Sequence, residues 1–129
     1  MLATTVCFYR DEKDRVPVLN WLKKLRQDSL KAYAKCVVRI HRLAEEGYAL
    51  RRPEADYLCD GIHELRARSG RVNYRMLYFF HGENVAVLAH GLTKEAEVTP
   101  AEIKRALERK ILYEKDPAGH TYAEDLGDG

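Results

Sequence analysis

Between Gly61 and Arg75 lie four arginines, Arg66, Arg68, Arg71 and Arg75, and Glu64 is the one acidic residue among them. A guanidinium is planar and always charged. Its fork of N–H donors can meet two phosphoryl oxygens at once, so the cluster suits gripping a phosphate and stabilising charge that develops on it. Further along, His90-Gly91-Leu92-Thr93-Lys94 supplies an imidazole able to exchange protons near neutrality and a lysine for anion binding. Each residue taken singly has a plainer reading. Arg75 on an apolar strand needs a counter-charge, and Glu64 across the hairpin would provide one. His90 at a strand end reads as structural, and Lys94 as solvated.

Other chemistries find no foothold. The five histidines, His41, His63, His81, His90 and His120, show no HExxH or paired metal-ligand spacing. There is no GxSxG elbow, no GxGxxG and no Walker spacing. Cys7, Cys36 and Cys59 are odd in number and widely spaced, which reads as buried thiols rather than a disulfide frame or zinc site. An enzyme built on this chain would work with arginine, lysine, histidine and tyrosine. Neither a metal nor a cofactor is expected.

The elements that must carry these residues follow from pattern. Thr4 to Arg10 reads as a strand. Pro17 opens a helix whose apolar face is Val18, Trp21, Leu22 and Leu25. Asp28-Ser29 caps a second helix, with Leu30, Tyr33, Ala34, Val37, His41 and Ala44 in one stripe and Gly47 as its left-handed terminator. The stretch from Arg51 to Asp60, with Pro53, reads as irregular. Three hairpin-linked strands follow, Gly61 to Ser69, Val72 to His81 and Val85 to His90, with a loop from Gly91 to Lys94. Alternation puts Glu64, Arg66 and Arg68 on one face of the first, and Arg75 with Leu77 and Phe79 on the second. Thr99-Pro100-Ala101-Glu102 is a capping box opening a last helix, whose buried face is Ile103, Ala106, Leu107 and Ile111. The order β-α-α-β-β-β-α predicts an α+β domain, one antiparallel or mixed sheet with a helical hairpin packed on it and a C-terminal helix.

The 129 residues fit one domain, with 46% hydrophobic residues to fill its core. No apolar run approaches a membrane span, and the N-terminus lacks the pattern of a signal peptide, so a cytoplasmic protein is expected. Four carboxylates and no Lys or Arg fall in residues 116–129, so the rest of the chain carries +6 against +2 overall. That divides the chain into a basic domain, 1–116, and an acidic tail, 117–129, expected to be flexible. A basic body suggests a polyanionic partner.

The ordered segments Gly61-Ile62-His63-Glu64-Leu65-Arg66, Tyr74-Arg75-Met76-Leu77-Tyr78-Phe79-Phe80, Leu88-Ala89-His90-Gly91-Leu92-Thr93-Lys94 and Thr99-Pro100-Ala101-Glu102-Ile103 resemble phage-derived RelE/HigB-like toxins of type II toxin–antitoxin systems. The resemblance spans about residues 57 to 115. It implies a RelE-like fold and an endoribonuclease that cuts messenger RNA, in many relatives on the ribosome. The 2′-hydroxyl attacks the adjacent phosphate without a metal. It further implies neutralisation by a helix-turn-helix antitoxin, and contact with operator DNA only through that antitoxin. On the matching positions, Arg75, Lys94 and Arg66 are the implied catalytic residues, with Arg68, Arg71, His90 and Tyr74 as substrate contacts. Leu92 stands where phenylalanine is usual, and Glu95 replaces the second lysine of the family's pair.

Two other functions fit parts of the sequence. A non-catalytic toxin-fold module would bind an antitoxin or host protein, with its arginines in salt bridges. A repressor acting alone would need a helix-turn-helix, and none is evident.

Overall fold

The computed structural model describes residues 4–94, 97–124 and 126; of Lys94 it describes the backbone alone. Among these residues the chain is α+β, with three helices and a six-stranded mixed sheet. The strands are β1 (Thr5–Tyr9), β2 (Ala55–Cys59), β3 (Ile62–Ser69), β4 (Val72–His81), β5 (Val85–Lys94) and β6 (Thr121–Tyr122). They lie in the order β2-β3-β4-β5-β1-β6. The helices are α1 (Pro17–Asp28), α2 (Leu30–Glu46) and α3 (Pro100–Lys115). No described helix is long and apolar enough to cross a membrane.

The sheet is mixed because β1 runs parallel to β5, whereas β2 to β5 form an antiparallel meander. Alternation along β1 explains its interior place. Phe8 packs into the cluster beneath α1 and α2, while Cys7 and Tyr9 join the one beneath α3, so both faces are covered. Burial pushes the thiols of Cys7 and Cys36 up, that of Cys36 to about 12, and all three cysteines are free.

The helical hairpin forms where its signals stand, but α2 turns a different face inward. Ser29 caps it, its hydroxyl accepting from Ala32 N at 3.1 Å. Its buried residues are Ala32, Cys36, Val37, Ile40 and Leu43, whereas Leu30 is 61% exposed. The stripe expected from the larger side chains shares only Val37 with that set. Small residues at 32 and 36 let the helix come close to its neighbours, and close packing outweighs the size of Leu30 and Tyr33. Gly47 ends the helix at φ 53° and ψ −125°, a positive φ that suits glycine but lies outside the left-handed helical region expected of it.

Two further expectations are corrected. β5 continues through Gly91 to Lys94 where a loop was expected, because β4 is long enough to pair it: Arg75 faces Leu92 and Asn73 faces Lys94. The stretch 51–60 holds an edge strand, β2, pairing with β3 from Ala55 to Cys59. α3 has the expected capping box, with Thr99 Oγ1 and Glu102 exchanging bonds. It buries Ala106 and Tyr113 and leaves Ile111 53% exposed. The fold also runs past residue 116. β6 pairs with β1, the His120 ring stacks on Tyr9 at 5.2 Å, and Leu126 packs against the core.

The fit of α1 on β5 depends on Gly91. A Cβ there would stand 2.5 Å from Trp21 Cδ2 and 2.9 Å from Trp21 Cγ, atoms near the root of a large, partly buried ring, so the ring or the helix that carries it must shift. Gly91→Ala should cost about 1–3 kcal/mol through overpacking. Urea denaturation checks this, and an unchanged midpoint would mean that α1 lifts freely.

Candidate active site

The α3 face of the sheet is apolar at one end and charged at the other. Leu77, Phe79, Val87, Ala89 and Leu92 pack with Ala106 and Tyr113 of α3. Beyond them a cavity of about 460 Å³ opens, lined by Arg52, Asp56, Leu58, Glu64, Arg66, Asn73, Arg75, Glu97 and Val98. Strand register builds it. Arg66 stands directly opposite Arg75, Glu64 opposite Leu77, and Asp56 of β2 opposite Glu64. Partners across an antiparallel pair share a face, so three strands deliver the charges to one place.

Glu64 is the centre of this arrangement, with its side chain 3% exposed. Its Oε1 accepts from Arg75 Nη1 at 2.7 Å and its Oε2 from Arg66 Nη2 at 3.0 Å. Arg66 Nη2 also reaches Asp56 Oδ2 at 3.3 Å, and Arg52 Nη2 meets the same oxygen at 2.8 Å. The charges thus alternate from the interior outward, Arg75, Glu64, Arg66, Asp56, Arg52. The hydrogen bond from Arg52 holds the Asp56 carboxyl below the usual carboxylate range. The guanidiniums are only partly used. Arg66 Nε and Arg75 Nε are buried and have no hydrogen-bond partner among the described residues. A buried donor left so is costly.

Arg66 is also held by its backbone. Its N–H donates to Glu54 O at 2.8 Å, and its carbonyl accepts from Arg39 Nε at 2.8 Å. Glu54 in turn takes Arg42 Nε at 2.9 Å and Arg39 Nη1 at 3.3 Å. This second network ties α2 to β3 at the position that presents Arg66, and its hydrogen bond from Arg42 holds the Glu54 carboxyl low.

The residues expected to act together divide into groups. Arg66 and Arg75 share the cavity. His90 faces Leu77 on β5, on the same cross-strand row as Glu64, but it does not line the cavity. Arg68 lies outside it too, its Nε donating to Gly70 O at 3.0 Å beside a groove along α2. Arg71 is exposed in the β3–β4 turn. Tyr74 is on the opposite face, 8% exposed and packed toward Trp21 with ring centroids 6.4 Å apart. Alternation forbids adjacent strand residues from sharing a face, so Tyr74 cannot join Arg75. The side chain of Lys94 and all of Glu95 lie outside the described residues. Arg52, Asp56 and Asn73 line the cavity without having been singled out. The one signal for the first two was their i, i+4 pairing, hidden in a segment that read as irregular.

Acid should loosen the β2 edge of the sheet in two stages. Burial keeps His63 below its ordinary 6.5, so below that pH the unfolded chain takes up a proton that the folded chain refuses. Stability then falls as pH drops toward the folded value. Asp56 and Glu54, held below 3.8 and 4.5, add stability above those values that is lost as pH falls through their folded values. The urea midpoint should therefore be lower at pH 5.5 than at 7.5, and His63→Phe should flatten that difference. A midpoint that rises on acidification would contradict the assignment.

All of the cavity-lining residues fall inside the region, residues 20–110, matched by the model of the phage-derived Gp49-like protein family (DUF891). The chain belongs to that family. The Gp49-like match takes in most of α1, all of α2 and the β2–β5 meander, and so extends well before the segments that carry the sequence resemblance. β1 and β6 lie outside it. No curated protein matches the sequence.

Proposed function

We propose that this Gp49-like protein is the toxin of a toxin–antitoxin pair, acting as an endoribonuclease on messenger RNA. The observation that carries the reading is the pair of opposed arginines, Arg66 and Arg75. They share one buried carboxylate, and each keeps a buried Nε without a partner among the described residues. Membership of the family is compatible with it, as is the +6 charge of the chain before residue 116. The helical hairpin on a mixed sheet is read as the RelE-like arrangement.

In the proposed reaction the RNA 2′-oxygen bonds to the adjacent phosphorus and the P–O5′ bond breaks. A 2′,3′-cyclic phosphate and a 5′-hydroxyl result. Arg75 and Arg66 neutralise the charge that gathers on the phosphoryl oxygens. The phosphate takes guanidinium N–H donors that Glu64 leaves free. Glu64, the carboxylate that both guanidiniums hold, takes the 2′-hydroxyl proton. Lys94 supplies the proton to the departing O5′. His90, Arg68 and Arg71 are kept as outer contacts for the strand. The partners are messenger RNA on the ribosome and a helix-turn-helix antitoxin, through which operator DNA is reached. The compartment is the cytoplasm.

A second reading has one observation in its favour. The cavity is lined by three carboxylates, Asp56, Glu64 and Glu97, against three arginines, and Arg75 is already paired. On that view the charges are structural and the protein is a non-catalytic module binding an antitoxin or host protein. Brief expression in growing bacteria separates the two. The nuclease arrests growth and leaves new RNA ends within minutes. The binding module leaves messages intact.

A further inference from the structure

On the other face of β2 lies a second cavity, of about 370 Å³, lined by Leu50, Arg51, Arg52, Ala55, Asp56, Tyr57 and His63. We propose that this cavity seats an unpaired base of the RNA strand whose phosphate occupies the arginine site, with Tyr57 as the stacking surface. The inference rests on the nuclease reading and extends it by a base subsite.

Tyr57 is unusual among the exposed residues. Its side chain belongs to a residue 56% exposed, yet the ring is fixed at both ends. Its hydroxyl accepts from Gly61 N at 3.0 Å, and its ring meets His63 edge-on with centroids 5.0 Å apart. His63 in turn stacks on Tyr78 at 5.1 Å and 19° and meets Phe80 at 5.2 Å. An aromatic face already held in place loses little freedom when a ligand stacks on it. Any base offers a π-face to such a ring, so affinity comes without sequence preference. Sequence-selective RNA readers likewise take unstacked bases on aromatic rings and guanidiniums. Arg51 adds a cation on the cavity wall, steadied by its bond to Tyr48 O at 2.8 Å.

Continuity with the first site favours RNA over other ligands. Arg52 and Asp56 line both cavities, and β2 is the outermost strand of the sheet. A single strand can therefore bend over that edge, with Arg52 meeting the backbone at the crossing and the next base turning onto Tyr57. The volume lies within the range of small-ligand pockets, about 300–1,000 Å³.

The test uses a ten-nucleotide 2′-O-methyl RNA, which lacks the attacking hydroxyl, carrying one 2-aminopurine. Binding is read by anisotropy and stacking by quenching of the 2-aminopurine. The full chain should bind and quench. Tyr57→Ala should weaken binding about tenfold and abolish the quench. Tyr57→Phe should keep both, and circular dichroism should confirm that each variant is folded. Arg75→Ala should weaken binding yet still quench at saturation. RNA affinity that needs Arg75 but is unchanged in Tyr57→Ala overturns the subsite and leaves the nuclease reading standing. Binding through Tyr57 by a protein that cuts no 2′-hydroxyl RNA supports the subsite and sinks the nuclease. No RNA binding at all overturns both. A Tyr57 effect confined to capture of a polypeptide by the β2 edge, with RNA affinity unchanged, also overturns the subsite.

Discussion

Arg75→Ala should lower RNA cleavage by about 10²–10³-fold while the protein still folds. That is the usual loss when one donor aimed at developing charge is removed from a catalytic site. The geometry makes Arg75 the most demanding position. Its side chain is 13% exposed, one terminal nitrogen is fixed on Glu64 at 2.7 Å, and its Nε stays unpartnered among the described residues. A fixed guanidinium needs no reorganisation when charge appears beside it. Arg75→Lys should not restore the rate, because an ammonium cannot hold Glu64 and two phosphoryl oxygens in one plane. Arg66 is more exposed, at 35%, and shared between two carboxylates, so Arg66→Ala should cost less. Single-turnover cleavage by purified variants ranks them. Equal rates for wild type and Arg75→Ala would remove Arg75 from the chemistry.

Glu64→Gln should be the most destabilising isosteric change in the site, at about 3–5 kcal/mol, because it leaves buried guanidinium charge uncompensated. It keeps the shape and one acceptor oxygen, so the loss falls on charge rather than packing. Glu64→Leu removes the acceptor too and should be worse. Urea denaturation measures both. Under conditions where Glu64→Gln remains folded, its cleavage should fall a further 10²–10⁴-fold if Glu64 takes the 2′-hydroxyl proton. Full activity with lowered stability would limit Glu64 to positioning the arginines. A variant as stable as wild type would mean that the ion pairs of Glu64 contribute nothing net to folding.

How far the sequence reveals this site depends on the kind of pattern each part leaves. The β3–β4 hairpin is legible because period-two alternation and the short turn at Gly70 set its register. That register brings Arg66 opposite Arg75 and leaves Glu64 within reach of both. The α3 cap is legible because Thr99, Pro100 and Glu102 each act locally. β2 is not, since Pro53 and the charges of Arg52, Glu54 and Asp56 hide a five-residue edge strand that forms only by pairing with β3. With it went Asp56, Arg52 and the Tyr57 platform. The inward face of α2 is set by the close approach of Ala32 and Cys36, a tertiary effect that residue size misreads. Tyr74 shows the limit of motif reading: it is beside Arg75 in the chain and on the other side of the sheet.

In the proposed reaction the RNA is cut by attack of its own 2′-hydroxyl on the phosphate held by Arg66 and Arg75. The most direct measurement is the chemistry of the ends made by purified protein on ribosome-bound message, with Arg75→Ala beside it. Attack by the 2′-hydroxyl should leave 5′-hydroxyl ends matched by upstream 2′,3′-cyclic phosphates, no cleavage where the scissile nucleotide is 2′-deoxy, and almost none by Arg75→Ala. Ends bearing 5′-phosphate, or cleavage indifferent to the missing 2′-hydroxyl, would contradict it.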